Sequence, residues 1–132
     1  MQALSRVRAK EAQALLSLGL HDGAYYLAGY AVECALKACI AKGTRRFEFP
    51  DKRRVDSSYT HDLELLMRLA NLDESYKERI KGDPEFKANW GTVEAWDEQS
   101  RYERHSGEKA RKLVDAVFNR RHGVLAWVRL YW

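Results

Sequence analysis

The sequence predicts an all-α protein, an up-and-down antiparallel helical bundle of four to five main helices plus a short one. Three observations carry this. The 132 residues include only two prolines. Strong apolar–polar alternation, the mark of a half-buried strand, is absent. One stretch, residues 22–42, carries Ala24, Ala28, Ala31, Ala35 and Ala38 at steps of four, three, four and three. That is the seam spacing of packed helices, and small side chains on a seam let a neighbouring helix come close.

Length and composition predict one domain, residues 1–132, large enough to bury a single core. A hydrophobic fraction of 45% with 32% charged residues is that of an ordinary globular protein. No apolar run approaches the ~20 residues a membrane span needs. The first residues, Met1 to Arg8, have charges but no apolar core, so no secretory signal is expected and a cytoplasmic location is. The net charge of +4 permits contact with nucleic acid or nucleotides without demanding it.

The first helix is expected from about Ala3 to Leu20, with Leu4, Val7, Ala14, Leu15 and Leu18 inward and Arg6, Arg8, Lys10, Glu11 and Gln13 in water. His21-Asp22-Gly23 is a short connection into the alanine-railed helix. Asp22 suits its N-cap, and Gly43 is a good residue to leave it on. Leu27, Val32, Leu36, Cys39 and Ile40 flank the rail. Residues 44–59 have no clean period and read as a loop, with room for a turn of helix. Arg45, Arg46, Phe47, Phe49, Lys52, Arg53 and Arg54 there could hold phosphate and stack a base, or simply form a solvated loop anchored by its phenylalanines.

Thr60 can cap a third helix from His61 to about Leu72, with Leu63, Leu66, Met67 and Ala70 on its core face. Asp73 starts a short helix ending near Gly82. Asp83-Pro84 pairs a capping residue with a proline at the first helical position. The helix it opens runs to about Asp97, with Phe86, Trp90 and Val93 inward and Trp96 near the edge. The last helix starts at Ser100 or at Ser106 and is expected to reach the C-terminus through Leu113, Val114, Val117, Phe118, Val124, Leu125, Val128 and Tyr131.

The chemistry-bearing residues are few. No phosphate loop, nucleophile elbow, HExxH motif or Cys/His metal cluster occurs, so neither metal nor cofactor is expected. Cys34 and Cys39, five apart on one helix, are separated by ~500° and cannot bridge locally. They read as small buried hydrophobes. Glu33 and Lys37 stand four apart. They form either an ion pair on an exposed helix edge or part of an interhelical polar site. Ser100-Arg-Tyr-Glu-Arg-His105 gathers Arg101, Arg104 and His105 around Tyr102. If this stretch is helical, Arg101 and His105 share a face. An arginine beside a histidine can stabilise phosphorane-like charge and move a proton, which metal-free RNA cleavage requires. The bland alternative is a basic helix start with ordinary surface residues.

Three stretches together resemble the HEPN domain family. Gly29-Tyr-Ala-Val-Glu-Cys-Ala-Leu-Lys-Ala38 is similar to its signature second helix. Thr60-His-Asp-Leu-Glu-Leu-Leu66 is similar to the start of its third helix, and Ser100-Arg-Tyr102 to its Arg-Tyr element. The resemblance implies a helical bundle, a homodimer, association with nucleotide or RNA, and a minimal nucleotidyltransferase partner in a toxin–antitoxin pair. Active members are metal-independent ribonucleases that use an Arg and a His near the last long helix. Arg101, Arg104 and His105 would be those catalytic residues here, and Glu33, Lys37, Arg101, Tyr102, Arg45 and Arg46 would bind ligand. Three residues separate Arg101 from His105, one fewer than in active members. The expectation is therefore a binding module without strong catalysis. A ribonuclease and a purely structural dimer are the alternatives.

Overall fold

The computed structural model describes residues 1–46 and 52–132, with only the backbone of Arg45, Arg46 and Arg54. Phe47, Phe49 and Pro50, and the side chains of those three arginines, lie outside the described residues. The protein is an all-α bundle with no strand among the described residues. Its α-helices are α1 (Gln2–Ser17), α2 (His21–Arg46), α3 (Lys52–Ser57), α4 (Leu63–Leu69), α5 (Asp73–Gly82), α6 (Pro84–Glu94), α7 (Gly107–Phe118) and α8 (Val124–Val128). A 3₁₀ helix, Glu98–Tyr102, links α6 to α7.

α2 is the centre. α1 packs along it most extensively, and α4, α7, α8 and the 3₁₀ helix cover the rest. Every alanine of the rail is buried within this one chain, so the rail is not left for a second copy. α1 meets α2 through its own small residues. Ser5, Ala9 and Ala12 are buried, and the Ser5 hydroxyl donates to the Ala31 carbonyl at 2.7 Å. The expected inward face of α1 holds only in part, with Leu4 and Leu15 half-buried. Val7 is 48% and Leu18 73% exposed, and Ala14 is exposed too. Close approach favours the smallest side chains and pushes the larger apolar ones outward.

Several boundaries differ from expectation. α2 begins at His21, and Asp22 sits in its first turn rather than capping it. It continues through Gly43 to Arg46. Asp62, not Thr60, caps α4 by accepting from the Leu65 N–H at 3.0 Å. Ser106 caps α7, which settles the later start. The expected single last helix is two. The Asn119 side chain accepts from the N–H groups of Arg121 and His122, closing a turn before Gly123. A side chain on Gly123 would overlap the Asn119 carbonyl. Cys34 and Cys39 are buried and free, as expected, and burial pushes the Cys39 thiol up to about 11.

Trp96 is not at an edge. It is 2% exposed, and its indole lies directly on Gly29 of α2, where any Cβ would overlap the ring. The lack of a side chain at Gly29 thus seats the segment that leads into the 3₁₀ helix. On the other flank, Phe86 and Trp127 meet edge to face at 5.2 Å, with Tyr76, Trp90 and Tyr131 around them. Gly29→Ala is expected to cost about 1–3 kcal/mol by forced repacking. Gly91→Ala, in an exposed helix interior with open space around it, should gain up to about 1 kcal/mol. Urea titration of both variants checks the contrast.

Asp83 joins α5, α6 and the α7–α8 turn. It caps α6 through the Phe86 N–H and receives Arg79 Nε at 3.1 Å and His122 Nδ1 at 2.7 Å. Burial pushes its carboxyl up, but the bonds from His122, Phe86 and Arg79 outweigh this and hold it below the usual carboxylate range. A carboxyl lowered in the folded state stabilises above its unfolded value of about 3.9. That contribution is lost as pH falls through the folded value. Melting curves from neutral pH down to about pH 3 should therefore fall less steeply for Asp83→Asn than for wild type. Parallel curves would contradict this.

Candidate functional site

The site is built on the side of α2 away from the rail, where Tyr26, Tyr30, Glu33 and Lys37 recur at helical spacing. Glu33 is 1% exposed. Its carboxylate accepts from Lys37 Nζ at 2.8 Å and from His61 Nδ1, which lies 3.0 Å from both oxygens. The exposed-edge reading of this pair is therefore replaced by a buried one. His61 stands in the turn before α4, and its Nε2 lies 2.9 Å from the Glu98 carboxylate. Both ring nitrogens face carboxylates, and a histidine donates from both only when its ring is protonated. Glu33 thus ties α2 to the turn before α4, and through His61 to the 3₁₀ helix.

That 3₁₀ helix presents Arg101 and Tyr102. Both are exposed, and the guanidinium lies 4.7 Å from the centre of the Tyr102 ring. The Tyr102 hydroxyl beside it, reinforced by that of Tyr26, raises the Arg101 pKa. Tyr26 stacks on Tyr30 at 5.9 Å and 13°, and on its other side meets Trp96 at 6.0 Å. Burial raises the Tyr30 hydroxyl pKa, reinforced by Cys34 and Glu33. The result is a cation among aromatic faces, tethered from behind by a buried carboxylate.

His105 lies elsewhere. The chain is extended at Glu103, so Arg101 and His105 do not share a helix face. His105 is 6% exposed and stacked on Tyr25 at 3.9 Å and 17°. Its backbone N–H donates to Asp22 at 2.6 Å, and its Nε2 donates to the Ser100 carbonyl at 2.9 Å. Arg104 is exposed and shares a cavity with His105 at the start of α2. Of the residues singled out from sequence, the fold groups Glu33 and Lys37 behind Arg101 and Tyr102, and sets Arg104 and His105 apart. The side chains of Arg45 and Arg46 lie outside the described residues.

No family model, curated protein or solved structure matches the chain. Among the described residues no group of three or more His, Cys, Asp or Glu side chains could hold a metal ion, and no helix is long and apolar enough to cross a membrane.

His61, Glu98, Tyr26 and Tyr30 are the site residues that sequence reading passed over. The tyrosines were findable, because they extend the Glu33–Lys37 spacing toward the N-terminus. Glu98 carried no local signal. Replacing Glu33 by Gln keeps the shape but removes the charged acceptor shared by Lys37 and His61. It should cost about 1–3 kcal/mol in urea unfolding, against under about 1 kcal/mol for Glu98→Gln on the half-exposed outer pair.

Proposed function

We propose that this chain is an HEPN-like helical module that binds RNA or a nucleotide without cutting it, on the face carrying Arg101, Tyr102, Tyr26 and Tyr30. One observation carries the reading. Arg101 and Tyr102 are exposed and packed on each other, whereas His105 is buried, stacked and bonded to the Ser100 carbonyl. A guanidinium pairs well with a phosphate, and tyrosine faces stack bases with little regard to sequence. Cleavage needs a free proton carrier within reach of the same phosphate, and His105 is buried with its Nε2 committed to the Ser100 carbonyl. Under this reading Glu33 and Lys37 are positioning residues.

The proposal extends to a homodimer with a minimal nucleotidyltransferase partner in the cytoplasm, on the strength of the three resembling stretches. The homodimer has separate support. Ala3, Val7 and Ala14 of α1, with Leu18 just beyond it, are exposed small and apolar residues around the exposed Lys10, a face that a second copy could cover.

Fluorescence anisotropy with a short single-stranded RNA tests the binding reading. Affinity should fall steeply with salt, and Arg101→Ala should lower the slope of log K against log salt by about 0.7, one phosphate contact. Tyr102→Ala should weaken binding at every salt concentration. Cutting of RNA in EDTA, abolished by His105→Ala in a folded protein, would make the chain a ribonuclease instead. Absence of binding to both RNA and nucleotides would leave a structural dimer.

A further inference from the structure

The cavity at the start of α2, of about 380 Å³, is lined by His21, Asp22, Gly23, Arg104 and His105 among others. We infer that it is a binding site for a phosphate group, distinct from the Arg101–Tyr102 face. The starting observation is that the N-terminus of α2 forms one wall of the cavity, and that of α7 packs against the His21 ring beside it. Gly107, the first residue of α7, lies so close to the His21 ring that a Cβ would stand 2.9 Å from Nε2. The same Cβ would be 3.1 Å from Arg111 Nη1, which brings a second guanidinium to the junction. α2 has 26 residues and α7 has 12, so both carry developed dipoles. The N–H groups of His21, Asp22 and Gly23 have no acceptor within their own helix. Free N–H groups at the positive end of a helix favour an anion.

The second observation is independent of the helix ends. His105 is 6% exposed and lines this cavity, and its Nδ1 is buried without a partner among the described residues. Its Nε2 is already committed to the Ser100 carbonyl. The His21 Nδ1 is likewise buried without a partner. Buried polar atoms are nearly always bonded, so two bare imidazole nitrogens at one cavity point to a missing polar group. A singly protonated phosphate offers acceptors to the N–H groups and to Arg104. It also offers one P–OH donor to a bare imidazole nitrogen or to Asp22. The Asp22 carboxylate, which accepts from the His105 N–H, is the opposing charge in the site. It sets a preference rather than a block, because an anion that keeps a proton can donate to it. Sulfate keeps none at neutral pH.

The test follows the ring C–H signals of His21 and His105 by NMR in the full-length chain during titration with inorganic phosphate. Both should shift and saturate, and sulfate at matched ionic strength should bind about tenfold more weakly. Arg104→Ala, an exposed substitution, should weaken phosphate about tenfold with an unchanged melting temperature. Asp22→Asn should erase the preference for phosphate over sulfate. A 5′-phosphorylated oligonucleotide that competes where its 5′-hydroxyl twin does not would identify the source as a nucleic-acid end. Competition by inorganic phosphate alone would identify a free phosphate. Both results support the site. Rings that do not move with phosphate, or an affinity unchanged by Arg104→Ala, would overturn it. Arg101→Ala should leave this titration unchanged, so its outcome is separate from that of the RNA-binding reading.

Discussion

The carboxylate of Glu33, held in the middle of α2, is the constraint on which the polar side of this protein depends. A charge at 1% exposure persists only if it is paired and bonded. The partners come from two places. Lys37 is four residues along the same helix, and His61 comes from the turn before α4. His61 then reaches Glu98 with its other nitrogen. An apolar residue at position 33 could fill the same volume, but it would not choose which turn lies over it. The buried acid makes that choice, and the 3₁₀ helix with Arg101 and Tyr102 follows from it.

The other side of α2 is governed by distance of approach. Five alanines leave the helix thin where its neighbours arrive, and Gly29, on the Glu33 face one turn earlier, does the same under Trp96. The small residues of α1 come in against the rail, and the Ser5 hydroxyl reaches the Ala31 carbonyl. Trp96 presses its ring onto Gly29. Both contacts need a missing side chain rather than a large one, so the middle of α2 is buried nearly all round yet built largely from its smallest residues. Glu33 and Gly29, one helical turn apart, therefore fix the segment 96–102 twice, once by charge and once by shape.

Much of this was legible in the chain. The rail and its burial, the cap at Asp83, the core face of Phe86, Trp90 and Val93, and the inertness of the two cysteines follow from spacing and residue type. What was not legible depends on which element covers which. Helical period cannot tell whether a charged pair such as Glu33 and Lys37 faces water or a neighbouring turn, so both readings stood until His61 was placed. The face of α1 was misread because Val7 and Leu18 look like core, whereas close packing selected Ser5, Ala9 and Ala12. The break after Phe118 was signalled by Asn119 and Gly123, but the apolar pattern runs on past it. His105 shares a face with Arg101 only if the segment between them is helical, and the chain is extended at Glu103.

The chain from Glu33 through His61 to Glu98 holds the 3₁₀ helix against α2. Amide hydrogen exchange in a His61→Ala variant reads this directly. The N–H groups of Ser100 and Glu103, which bond within that turn, should exchange faster than in wild type, while that of Ala24 at the start of α2 keeps its protection. Unchanged exchange at Ser100 and Glu103 would contradict this and leave that turn to Trp96 on Gly29 and the His105 bond to the Ser100 carbonyl.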